Sequence, residues 1–104
     1  MKNIIAILFI LSISSPVYSA EGTGVVSRIY PNGNNVYFRL KSDTCINSTA
    51  NDYYYIDMVN QQPAAQNWFA MLLAASATGK PVRVSVESCG IAGNTAVRYI
   101  YQDY

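Results

Sequence analysis

The run Gln66-Asn67-Trp68-Phe69-Ala70-Met71-Leu72-Leu73-Ala74-Ala75-Ser76-Ala77-Thr78, closed by Gly79-Lys80-Pro81, is unlike the rest of the chain. Its apolar residues recur at helical spacing. It also ends as helices end, with a glycine free to take positive φ at the C-cap and then a proline that cannot continue the hydrogen-bond ladder. The spacing predicts a helix over residues 66–78. What surrounds it reads as strand, so its place among the strands decides the fold.

Upstream, Gly24-Val25-Val26-Ser27-Arg28-Ile29-Tyr30 reads as a strand. Pro31-Asn32-Gly33-Asn34-Asn35 follows as a hairpin signal, because Asn-Gly tolerates positive φ. Val36-Tyr37-Phe38-Arg39-Leu40 is the returning strand, with Val36, Phe38 and Leu40 on one face and Tyr37 and Arg39 on the other. A polar stretch from Lys41 to Asp52 breaks the pattern, and Tyr53-Tyr54-Tyr55-Ile56-Asp57-Met58 is a third strand, aromatic and β-branched. Beyond the helix, Val82–Glu87 and Val97–Gln102 are two more strands around the loop Gly90–Thr95. The order is β-β-β-α-β-β. In a mainly β chain of this size that order is the connectivity of the small five-stranded Greek-key barrel called the OB-fold. A helix packed on an open antiparallel sheet has the same order of elements and differs only in closure.

The first residues belong to a different pattern. Lys2 precedes an unbroken apolar run, Ile4 to Leu11, followed by Ser12-Ile13-Ser14-Ser15-Pro16 and Val17-Tyr18-Ser19-Ala20. This is the layout of a cleaved signal peptide over residues 1–19, with small Val17 three positions before the cut and a single domain over 20–104. The apolar run is too short to span a bilayer, so no membrane insertion is expected. A secreted or periplasmic chain follows. Cys45 and Cys89 are then an even pair in an oxidising compartment and are expected to form a disulfide. A loop of about 45 residues closed in this way stabilises by roughly 4 kcal/mol in the chain-entropy model.

Composition excludes much of enzymology. The chain is 51% hydrophobic and 12% charged, with nine tyrosines and no histidine, so no Ser-His-Asp triad or imidazole acid–base pair is possible. No phosphate loop, nucleophile elbow or clustered metal ligands appear. Asp43, Asp52 and Asp57 are acidic loop and strand residues with nothing beside them in sequence to raise a pKa. The expectation is a protein that is not an enzyme and needs no cofactor or metal. Without the leader, six basic residues (Arg28, Arg39, Lys41, Lys80, Arg83, Arg98) meet six acidic ones (Glu21, Asp43, Asp52, Asp57, Glu87, Asp103). That balance and an exported location argue against a nucleic-acid partner, which calls for a basic stripe.

The helix carries a second signal. Trp68, Phe69, Met71, Leu72 and Leu73 spread over roughly 200°, about twice the stripe that one core needs. The other side, including Gln66, Ala70, Ala74 and Ala77, holds no charge. A solvent-facing helix would carry Lys or Glu there, so these four residues are candidate contacts of a homo-oligomer. The competing account has the barrel's own loops cover the helix.

Sugar binding is compatible with the remaining side chains. Oligosaccharide sites set aromatic faces against sugar C–H surfaces and add a few polar groups. Tyr37, Tyr53, Tyr55, Tyr99 and Tyr101 are candidate faces, and Arg39 and Arg83 can meet a carboxylate bidentately. Strand tyrosines and an outward Arg83 beside Ser85 and Glu87 also serve as ordinary barrel surface. Asn47-Ser48-Thr49 matches a glycosylation acceptor and reads as a polar loop. The alternative function is a small structural or inhibitory protein whose barrel caps a protein partner and has no sugar site.

Ala77-Thr78-Gly79-Lys80-Pro81-Val82-Arg83-Val84, with Val36-Tyr37-Phe38 and Thr23-Gly24-Val25-Val26 upstream, resembles the glycan-binding B subunits of subtilase cytotoxin and typhoid toxin. The resemblance implies a secreted OB-fold, assembly as a pentamer around a ring of helices, a catalytic A subunit as partner, and sialylated cell-surface glycans as ligands. Thr23 matches the family's sugar-binding serine and keeps its hydroxyl. Val86 stands where the subtilase subunit has a ligand-contacting tyrosine, and Arg39 where the family has its first cysteine, so this chain's disulfide is wired differently. The candidate ligand-binding residues are therefore Thr23, Tyr37, Arg39, Arg83 and Tyr99.

Overall fold

The computed structural model describes residues 20–46 and 52–103. The expected leader and the Asn47-Ser48-Thr49 motif lie outside the described residues. Five strands and one helix follow in the expected order: β1 (Ala20–Asn32), β2 (Asn35–Leu40), β3 (Tyr54–Asp57), α1 (Ala64–Thr78), β4 (Pro81–Val86) and β5 (Thr95–Tyr101).

The strands close into a barrel in the order β1-β2-β3-β5-β4. Two features close it. The first is the length of β1, which pairs antiparallel with β4 over Ala20–Val25 and with β2 over Val26–Asn32. The second is a short parallel pairing of β3 with β5, Tyr54 opposite Thr95 and Tyr55 opposite Ala96. This is the five-stranded Greek-key connectivity of the OB-fold. The open antiparallel sheet is excluded by it.

The change of partner along β1 needs a bend, and the bend is where the glycines are. A Cβ on Gly24 would lie 2.6 Å from the Lys41 backbone oxygen, while the Lys41 amide donates to Val25 O at 2.7 Å. Only a residue without a side chain lets the backbones approach that closely. Three residues on from Gly24, Ser27 is extra in the ladder between the pairs Val26–Leu40 and Arg28–Arg39, a bulge that adds twist. At the other end of β1 the hairpin turns on Gly33 and Asn34, with positive φ at Gly33. Such a two-residue turn matches the twist of the strands it joins.

The core is built from the inward positions of each strand: Val36, Phe38 and Leu40 of β2, Tyr54 and Ile56 of β3, Val82, Val84 and Val86 of β4, Val97 and Ile100 of β5. Burying each large apolar side chain contributes roughly 1.5–3 kcal/mol. Phe38 and Tyr54 stack with ring centroids 5.3 Å apart. Helix α1 adds Ala65, Leu72 and Ala75 to this core and rests partly buried Trp68, Phe69 and Met71 against it, touching β1, β3, β4 and β5. It begins at Ala64, two residues before the expected start, and its C-cap is Gly79 in the left-handed conformation, as predicted.

Cys45 and Cys89 form the expected disulfide, which joins the β2–β3 loop to the β4–β5 loop. The Gly90 amide adds a bond to Cys45 O at 2.9 Å. The disulfide is compatible with an extracellular or periplasmic location. Next to it, Asp43 accepts hydrogen bonds from the amides of Thr23 (3.3 Å) and Cys45 (3.2 Å) and from the hydroxyl of buried Tyr54. Burial, then the hydrogen bond to Asp43, then its negative charge push the Tyr54 phenol far above the usual tyrosine range.

Candidate functional site

Hairpin register places the outward side chains of β1, β2 and β3 on a grid. Asn32 is opposite Asn35, and Asn35 is opposite Asp57. In the next row, Tyr30 is opposite Tyr37 and Tyr37 is opposite Tyr55. In the row after that, Arg28 is opposite Arg39, whose guanidinium carbon lies 4.2 Å from the ring centroid of Tyr53, one residue before β3. A row of amides and acid and a row of tyrosines thus run across three neighbouring strands, and a pair of guanidinium groups on β1 and β2 lies beside them.

The tyrosine row is continuous. Ring centroids of Tyr30 and Tyr37 are 5.9 Å apart, as are those of Tyr37 and Tyr55. Tyr53 adjoins Tyr37 at 6.0 Å and Tyr30 at 6.1 Å. Tyr30 is 47% exposed, and the other three are half-buried. The hydroxyls are aligned by neighbours: Asn32 Nδ2 donates to Tyr30 at 3.3 Å, Asn35 Nδ2 to Tyr37 at 3.2 Å and Arg28 Nη1 to Tyr53 at 3.0 Å. Arg39 Nε donates to Asp52 O at 3.2 Å. A cleft of about 510 Å³ opens along one edge, lined by Arg28, Ile29, Tyr30 and Tyr53. Flat rings beside planar cations form a surface suited to a flat or C–H-faced ligand with polar groups at its rim.

Asp57, at the end of the amide row, accepts from the Val59 and Asn60 amides at 3.0 Å each and from Asn60 Nδ2 at 2.8 Å. The two bonds from Asn60 hold its carboxyl below the usual range, against an opposing effect of desolvation, and the Val59 bond adds a smaller lowering.

The five expected ligand contacts do not form one site. Tyr37 and Arg39 lie on the face just described. Thr23, Arg83 and Tyr99 lie on the β1–β4–β5 side, where Thr23 is opposite Arg83 and Ser85 is opposite Tyr99. A smaller cleft of about 110 Å³ there is lined by Thr23, Pro81, Val82, Arg83 and Asp103. Arg83 Nε is paired with Asp103 at 2.9 Å, and its Nη1 is 3.8 Å from Glu21. Tyr101 donates its hydroxyl to the same Glu21. That bond, with desolvation and the Glu21 charge, raises the Tyr101 pKa, and Arg83 opposes the shift. Tyr99 is 42% exposed and its ring adjoins Tyr101 at 6.0 Å. Ser85 is not on a solvated face beside Arg83: it is fully buried, flanked by Glu21 and Tyr99 at the place where the β4–β5 ladder shifts register.

Tyr30 and Arg28 belong to the tyrosine face and were not among the sequence candidates. The signal for both was present. A two-residue turn at Gly33-Asn34 puts Asn32 opposite Asn35, and counting back by twos puts Tyr30 opposite Tyr37 and Arg28 opposite Arg39. On the helix, Gln66, Ala70, Ala74 and Ala77 are all exposed, and Leu73 beside them is 48% exposed. Among the described residues, no loop of the barrel covers that face.

No family model matches the chain, and neither any curated protein nor any solved structure does.

Proposed function

We propose that the chain is an exported, non-catalytic glycan-binding module that lays its sugar along the Tyr30–Tyr37–Tyr55 row. The observation that carries this reading is the row itself, three tyrosines in register across β1, β2 and β3. A well-formed core does not require outward rings at three adjoining cross-strand positions, and this side of an OB barrel is where oligosaccharides and oligonucleotides are commonly bound. The even charge balance and the leader-like first residues favour sugar over nucleic acid. The resemblance to toxin B subunits supports the same ligand class. It also supports sialylated glycans as candidates and assembly through the exposed helix face. Thr23, Arg83 and Tyr99 form a second, smaller contact region, in which Arg83 is already ion-paired and Thr23 supplies a hydroxyl.

A glycan array probed with the disulfide-bonded domain, over neutral and acidic oligosaccharides, tests the reading. Binding is expected, and replacing Tyr37, the centre of the row, with Ala weakens it by roughly tenfold or more. Thr23→Ala has the smaller effect. A blank array with folded protein, or binding indifferent to Tyr37, overturns the proposal. Tight binding to oligothymidylate in place of any sugar overturns it as well.

A further inference from the structure

Tyr53 differs from its three neighbours on the face. Its ring lies under the Arg39 guanidinium, with Cζ 4.2 Å from the centroid, and its hydroxyl accepts a bond from Arg28 Nη1 at 3.0 Å. The two arginines stand directly opposite each other across the β1–β2 pair. Like charges in such positions repel, and a sheet shaped for stability alone gains nothing from them. Arg28 is exposed and makes no ion pair with any described residue. One phenol thus holds two planar cations at the border of a row of rings, beside the cleft that Arg28, Tyr30 and Tyr53 line.

We infer that Arg28 and Arg39, positioned by Tyr53, form a subsite for the carboxylate of an acidic sugar whose neighbouring rings lie on the tyrosine row. This rests on the glycan-binding reading and extends it from a surface to a ligand chemistry. A guanidinium offers a flat fork of donors that matches a carboxylate in two-point contact. Aromatic surface around the pair displaces water, which strengthens the attraction over that of an open surface ion pair. Tyr53 is a positioning residue here. It orients the cations and need not touch the sugar.

The test measures binding by calorimetry with two named acidic probes, trigalacturonate and sialyllactose, each against the same sugar with its carboxylates reduced to alcohols. At least one acidic form is expected to bind roughly tenfold tighter than its reduced counterpart. Arg28→Gln should abolish that difference, and Arg28→Lys should restore part of it. Tyr53→Phe, which keeps the ring under Arg39 and removes the hydroxyl that Arg28 holds, should lower the acid preference. Equal binding of acidic and reduced sugars, still dependent on Tyr37, overturns the carboxylate subsite and leaves the glycan reading standing. An acid preference unchanged in Arg28→Gln overturns the subsite too. Failure to bind either form of either probe overturns the subsite, and a blank across the whole array overturns the parent reading with it.

Discussion

At the scale of single residues, small side chains and short hydrogen bonds shape the barrel at the bend of β1. Gly22 has no Cβ because the Tyr54 hydroxyl occupies its place: an added Cβ would lie 1.7 Å from that oxygen. Gly22→Ala therefore has to displace Tyr54 from Asp43 and is expected to cost about 1–3 kcal/mol in urea-monitored unfolding, the usual range for forced overpacking. Adding Tyr54→Phe should recover only part, since the ring carbon beneath the hydroxyl would still be 2.7 Å away. A second residue-scale expectation concerns Asp57. Its carboxyl titrates below the usual range because it accepts bonds from Asn60 and Val59. A depressed carboxyl contributes stability that is present above its unfolded value of about 4 and is lost as pH falls through the lower folded value. Melting temperature followed downward from pH 5 should thus fall in the wild type, and Asp57→Asn should remove that share of the slope. An identical acid slope in the variant would show that Asp57 does not contribute to it.

Among the elements, α1 raises the question the barrel leaves open. Its inner face of Ala65, Leu72 and Ala75 is buried, and its outer face carries Gln66, Ala70, Leu73, Ala74 and Ala77 in the open without a charge. If this face is where copies of the chain meet, the domain sediments as an oligomer at tens of micromolar, and Ala74→Glu dissociates it by burying a charge at the contact. A wild-type monomer at that concentration would remove the oligomeric proposal and leave the proposed glycan-binding role of the tyrosine row untouched, because the row on β1–β3 is completed within one chain.

For the whole molecule, the Cys45–Cys89 bond ties together two loops that belong to neighbouring strand pairs, closing 44 residues of sequence separation. Replacing both cysteines with alanine should lower unfolding free energy by about 2–4 kcal/mol, a large part of what a domain this small has. The tyrosine row is set by the β1–β2 and β2–β3 ladders and not by this cystine, so under the proposed function the double variant should keep its sugar affinity at temperatures where it stays folded. Loss of affinity in folded, cystine-free protein would mean that the grid depends on the tether.

Local sequence determined much of this molecule. The helix and its glycine cap, the Asn-Gly hairpin, and the inward Val36-Phe38-Leu40 and outward Tyr37-Arg39 of β2 follow from periodicity and turn chemistry, which act over a few residues, and the cysteine pairing follows from there being two of them. Even Tyr30 and Arg28 were within reach of hairpin counting. Only the tertiary structure decided the rest, because it depends on contacts between residues far apart in the chain. The split of β1 between β2 and β4, the parallel seam of β3 with β5 that closes the barrel, the burial of Ser85, and the pairing of Arg83 with Asp103 have no local signal. The division of five expected contacts between two sides of the barrel comes from the same cause: side-chain alternation says which face of its own strand a residue takes, and only closure says which faces become neighbours.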